Sequence, residues 1–156
     1  MMHWTSFRKL LRETIFAGYI TNTEPLRIGA GRVDKLGSPI DLPVMKVSYK
    51  GMEIPCIPGS SLKGVFRSYA EALARARGLE ACSGLAKESC MDTKQVDGRI
   101  LREHIEMLLK QGKASEAVEA FSSTACLICK IFGAPSYASK VNFSDAYPLD
   151  PQGNVI

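Results

Sequence analysis

The chain has 156 residues, 46% of them hydrophobic, enough for one compact core, and it shows no second domain, internal repeat or low-complexity linker. Its net charge of +4 is unevenly placed: residues 1–79 carry twelve basic side chains against six acidic ones, and the remainder is net −2. The asymmetry gathers cations where a phosphate backbone could be held, although a solvated basic face has the same composition; five cysteines, an odd number, argue against a secreted disulfide framework.

At the start of the chain, Trp4, Phe7 and Leu11 have the spacing of a short amphipathic helix. His3, Arg8, Lys9, Arg12 and Glu13 interrupt it, so it does not read as a secretory leader. No membrane segment is visible, and the expected location is the cytoplasm. Residues 14–22 alternate branched and aromatic with small side chains and predict a first strand. Next come a glycine-rich stretch, LRIGAG over 26–31, and a proline-bounded loop, Pro39-Ile40-Asp41-Leu42-Pro43. A carboxylate presented stiffly between prolines can bind a divalent cation or take a proton from an RNA 2′-hydroxyl; it can equally serve only to fix the turn.

Residues 43–48 and 52–57 flank Tyr49-Lys50-Gly51 as a hairpin. Pro58 then stops the strand, Gly59 permits a tight turn, and Ser60 or Ser61 can cap a helix over 61–77 that Gly78 closes. Exposed amides, the positive end of the helix dipole, Lys63 and Arg67 would converge there on a phosphate. Leu62, Phe66, Tyr69, Ala70 and Leu73 recur at helical spacing and predict the face by which this helix docks. The plain alternative is an ordinary capped helix after a buried strand. GSSLKG lacks the glycine-to-lysine spacing of a nucleotide phosphate loop.

Further along, Cys126-Leu127-Ile128-Cys129 has the two-residue gap that lets both sulfurs reach one ion, and Cys82 and Cys90 could complete a tetrahedral thiolate site for structural zinc. The competing role is packing, since free cysteine behaves as a small apolar residue. Cys56 alternates inside a strand and reads as core. Residues 99–111 and 115–122 predict helices separated by Gly112-Lys113, His104 packs or sits at the surface of the first, and residues 140–147 predict a closing strand.

IPGSSLKG followed by an arginine-bearing helix resembles the signature of the RAMP superfamily of CRISPR-associated proteins, and in particular the repeated backbone subunit of type III effector complexes. LRIGAG, IDLPVMK (40–46), CKIFGAP (129–135) and VNFSDAYP (141–148) resemble further family segments in the same order. The resemblance spans residues 13 to 147. It implies an α+β, ferredoxin-like (RRM-like) fold with loop and helical insertions. Residues 1–156 would form a single RNA-binding domain with an insertion over 80–130 that bears the zinc site. In the family a second strand-helix-strand half follows the Ser-Asp-Ala strand, so the chain is expected to be the first half of a longer fold or to obtain that half from a neighbour.

The resemblance further implies a guide-RNA-binding subunit that takes part in antiviral defence, assembles with other RAMP subunits and copies of itself in a filament-like complex, and cuts paired target RNA as a metal-dependent endoribonuclease using Mg2+ or Mn2+. The family's target-cleaving aspartate lies in a loop matching Ile40-Asp41-x-Pro43-Val44, which puts that role on Asp41. Arg27, Gly29, Gly31, Ser60, Ser61, Lys63 and Arg67 are the candidate RNA contacts. Such contacts go to phosphate and 2′-hydroxyl, because one protein must accept any spacer while base pairing supplies specificity. The alternative is a purely structural RAMP subunit that binds guide RNA without cutting; a guide-processing nuclease, or a zinc-stabilised module with no RNA role, are more distant readings.

Overall fold

Tyr49 and Met52 face each other across a two-residue turn in the computed structural model, which describes residues 12–29, 44–85 and 87–156. Strands β1 (Lys46–Tyr49) and β2 (Met52–Pro55) pair antiparallel, with Val47 opposite Ile54 and Ser48 opposite Glu53. Lys50 and Gly51 both take positive φ, 50° and 82°. This is the mirror-image turn whose twist suits a two-residue hairpin loop, and glycine enters it without steric cost. The hairpin expected from sequence is therefore present, with Tyr49 in β1 rather than in the turn and β2 ending at Pro55 instead of Ile57.

The chain divides into two compact units. The hairpin unit comprises Ile15–Lys63 and Phe143–Ile156. Around β1 and β2, isolated bridges join Gly29 to Val44 and Ile57 to Ala146, and the Met45 amide donates to the Ile28 carbonyl at 2.8 Å. Among its described hydrophobic side chains, only Ile54 and Cys56 are buried. Cys56 is core, as expected.

Two expected strands differ from what is observed. Residues 14–22 are free of helix and make no ladder with any described residue, and Ile15, Phe16 and Tyr19 are 80%, 93% and 84% exposed. Alternation gives a segment two faces, but a strand also needs an edge to bond to, and no described edge meets this one. Residues 140–147 hold a single bridge, at Ala146.

Helix α1 (Gly59–Ala76) starts in the hairpin unit and continues into the helical unit, whose main body is Gly64–Asn142. There follow α2 (Cys90–Thr93), a small antiparallel pair β3 (Gln95–Val96) and β4 (Arg99–Ile100), then α3 (Leu101–Lys110), α4 (Ala114–Thr124) and α5 (Leu127–Phe132). Among the described residues there are helices and two small antiparallel sheets, each two-stranded, so the class is α+β. Leu101, His104, Ile105 and Leu108 recur on one side of α3 and are all buried, the spacing of a packed helical face. Leu101, Ile105 and Leu108 join Met91, Ala117, Phe121, Ile128, Cys90, Cys126 and Cys129 in one cluster, and the Phe121 ring stacks on Tyr137 at 3.8 Å between centroids. His104 is packed rather than exposed.

Helix α1 does not dock by the face its large apolar residues mark. Phe66, Tyr69 and Leu73 are exposed, whereas Ala74 and Glu71 are buried and Ala70 packs against the core. Small side chains let a helix approach its neighbours closely, and the ion pair that Glu71 makes with Arg67 sits where a bulkier hydrophobe would stand off.

Candidate functional site

Sequence-distant cysteines meet because three short elements hold them. Cys90 opens α2, whose first turn is tied by the Ser89 hydroxyl donating to Asp92 at 2.7 Å and the Thr93 hydroxyl donating to the Ser89 carbonyl at 2.9 Å. Arg102 of α3 grips the same Asp92 carboxylate at 2.7 and 2.9 Å. Together these bonds hold the Asp92 carboxyl below its usual range, the Ser89 hydroxyl being the larger cause and Arg102 the next. Cys126 occupies the position just before α5 and Cys129 lies in its first turn, the arrangement the CLIC spacing anticipated. Cys82 arrives on the irregular segment after α1.

The Cys82 sulfur lies 3.0 Å from that of Cys129 and 3.7 Å from that of Cys126, and the Cys126 amide donates to the Cys90 sulfur at 3.2 Å. All four sulfurs fall within 4.8 Å of one another, and three of the four residues are buried. Four thiolates about 2.3 Å from a tetrahedral ion are about 3.8 Å apart. The cluster therefore fits a metal ion after only small adjustments, and its soft sulfur donors suit zinc-like cations rather than magnesium.

Crowding divides the thiols unequally. Hydrogen bonds from Cys129 and then Cys90 pull the Cys126 thiol down, while the bond to Cys126 pushes Cys129 up and raises Cys90 to about 11. One sulfur ionises readily and its neighbours then resist. A cation at the centre removes that resistance, because coordination requires all four as thiolates.

Arg67 belongs to this cluster. Its Nε donates to Glu71 at 2.9 Å, one Nη to the Gly133 carbonyl at 2.8 Å, and the other Nη lies 3.7 Å from the Cys129 sulfur. The guanidinium is thus engaged inside the helical unit.

At that start, the Gly59 amide donates to the Asp145 carboxylate at 2.7 Å, and the Ser61 and Leu62 amides donate to the Pro58 carbonyl. The expected serine cap is absent; a carboxylate 86 residues away takes its place. Gly59 is required for a further reason, since a Cβ there would collide with the Phe143 backbone. Ser60 is exposed and Lys63 half-buried on the same turn. Arg27 and Gly29 lie on the extended segment whose Gly29 bridges Val44. Asp41 and Gly31 lie outside the described residues.

Sequence reasoning missed Asp145 as a cap and Arg67 as a neighbour of the thiols. VNFSDAYP marked the segment that bears Asp145, but nothing local in it signals a bond to Gly59. For Arg67 the helical spacing to Glu71, four residues on, was the available clue.

The molecule is thus an α+β protein with a candidate metal centre in one unit and a carboxylate-capped basic turn in the other. The family model of the RAMP superfamily matches residues 19–156, so the chain belongs to the RAMP superfamily of CRISPR-associated proteins. No curated protein matches it. Membership carries a CRISPR-related RNA-binding role, in association with CRISPR RNA and other Cas subunits. Among the described residues no helix is long and apolar enough to cross a membrane.

Proposed function

We propose that the chain is a cytoplasmic guide-RNA-binding backbone subunit of a type III CRISPR interference complex, built on a ferredoxin-like single domain with an insertion over 80–130, and that it cleaves paired target RNA with a divalent metal ion. The observation that carries the reading is the family match over 19–156, which includes the Gly59-Ser60-Ser61-Leu62-Lys63 turn. Ser60, Ser61, Lys63, Arg27, Gly29 and Gly31 contact phosphate and 2′-hydroxyl groups. With three of the first amides of α1 engaged, contact at this turn comes chiefly from the serine hydroxyls and the Lys63 ammonium. Copies of the chain and other RAMP subunits cover its apolar surface, a role supported by the exposed Ile15, Phe16, Tyr19 and Ile20.

Asp41 binds Mg2+ or Mn2+ or takes the proton from the attacking 2′-hydroxyl; the metal ion, when bound, neutralises charge that develops on the scissile phosphate. The four cysteines hold one structural zinc that ties the two ends of the insertion together. In the assembled complex, Asp41→Ala abolishes target cleavage while guide and target binding stay nearly intact, because a carboxylate contributes to the transition state and not to phosphate affinity. Gel shift and cleavage assays on one preparation read both quantities. Cleavage at the wild-type rate makes the subunit a purely structural one; binding lost together with cleavage makes Asp41 a residue that shapes its loop.

A further inference from the structure

We propose that Arg67 is a positioning residue of the metal centre: it fixes the Cys129 thiolate by hydrogen bonding and offsets part of the negative charge of the metal-loaded cluster. The inference rests on the reading of the four cysteines as zinc ligands. A divalent cation with four thiolates carries a net charge of −2, and three of the ligand residues are buried, so the charge is not relieved by water. Among the described residues, Arg67 is the cation with a donor on a ligand sulfur, its Nη 3.7 Å from Cys129.

The rest of the geometry holds that donor in place. The Arg67 side chain is 18% exposed and Glu71 9%, and Glu71 is itself met by Arg75 at 3.6 Å. The bond to Gly133 ends on the carbonyl just past α5, the helix that carries Cys129, so one guanidinium grips both a ligand and the end of its helix. A carboxylate alone would satisfy Arg67 in an ordinary i,i+4 pair; the contacts to sulfur and carbonyl are additional. Gly84 adds an independent sign of a built site. It has φ +68°, and a Cβ on it would occupy the space of the Arg67 guanidinium. The chain thus leaves a gap beside the cysteines that the arginine fills.

The test is zinc affinity of the full chain measured against a chromophoric chelator, with the thiolate-to-metal absorption band of the cobalt-substituted protein as an electronic readout. Arg67→Met should weaken zinc binding 10- to 100-fold, the usual cost of losing a partner to a metal ligand, and should shift the cobalt band. Arg67→Lys, which keeps the charge and loses the fork, should recover part of the affinity. Gly84→Ala displaces the guanidinium without altering it, at an added cost in backbone strain because φ is +68°; it should weaken zinc binding more in the wild-type chain than in Arg67→Met, where only the strain remains. It also provides the reading if Arg67→Met fails to fold. Wild-type affinity and an unshifted band in Arg67→Met or Gly84→Ala overturn the proposal, as does a variant that loses RNA binding while zinc affinity is unchanged. A wild-type chain that takes up neither zinc nor cobalt overturns the metal site itself, a result visible before any variant is made and distinct from failure of the arginine's role alone.

Discussion

The helical unit and the hairpin unit solve the same problem differently. The first buries Met91, Leu101, Ile105, Leu108, Phe121 and Ile128 in one cluster that also contains Cys90, Cys126 and Cys129, with Cys82 packed against it. The second buries Ile54 and Cys56 and leaves Ile15, Phe16, Tyr19, Ile20, Leu26 and Met52 exposed. Burial of a large apolar side chain contributes about 1.5–3 kcal/mol, so the helical unit has a core of its own, whereas among the described residues of the hairpin unit burial is sparse and point contacts such as Gly59 to Asp145 stand out. The lesson is that a chain can concentrate its buried apolar side chains in one part and leave them sparse in another.

Metal removal should separate the two most. If the cysteines hold zinc, a chelator that strips it costs the helical unit about 4 kcal/mol when the metal had been held at about a thousandfold its Kd. Amide exchange should then accelerate across α2 to α5 and leave the β1–β2 amides at their former rates. Uniform acceleration in both units would break the comparison.

The hairpin unit has its own weak point. Asp145→Ala removes the acceptor of the Gly59 amide and should cost about 1 kcal/mol, the usual worth of a helix cap. Denaturant titration followed by exchange in β1 and β2 should show the loss there. Asp145→Asn, which keeps an acceptor but drops the charge, should retain most of the stability and tighten RNA binding if Lys63 and the serines meet phosphate. An unchanged RNA affinity would separate the cap from the RNA surface.

The smallest effect is expected at Asp92, whose folded-state pKa lies below its ordinary value of 3.8 because of Ser89 and then Arg102. A depressed carboxyl contributes stability that is fully present above the unfolded value and is lost as pH falls through the folded one. Melting curves of wild type and Asp92→Asn should therefore differ slightly at pH 7 and converge below pH about 3.9. A difference that grows on acidification would contradict the assignment.

Local chemistry was legible and distant pairing was not. The hairpin showed in Tyr49-Lys50-Gly51 because positive φ at two successive residues demands a particular turn. The cysteine cluster showed in CLIC because a two-residue gap brings sulfurs together whatever else the chain does. The docking face of α1 did not show, because Phe66, Tyr69 and Leu73 outweigh Ala70 and Ala74 in any count of hydrophobicity, while contact followed the small residues. The nearness of Arg67 to the thiols did not show, because no sequence rule pairs a guanidinium with a sulfur 62 residues away. Asp145 stood 86 residues from the amide it caps.

The placement of the cysteines also determines how much the chain can change length. Cys90 and Cys126 stand 36 residues apart in sequence, yet the amide of one meets the sulfur of the other, so β3, β4, α3 and α4 form a loop tethered at its two ends. Doubling a closed loop adds only about 0.6 kcal/mol of closure entropy. The turn at Gly112-Lys113, where an added Cβ on the glycine meets nothing, is therefore a place to graft a fluorescent reporter or to splice in a foreign domain while the tether at the cysteines stays shut.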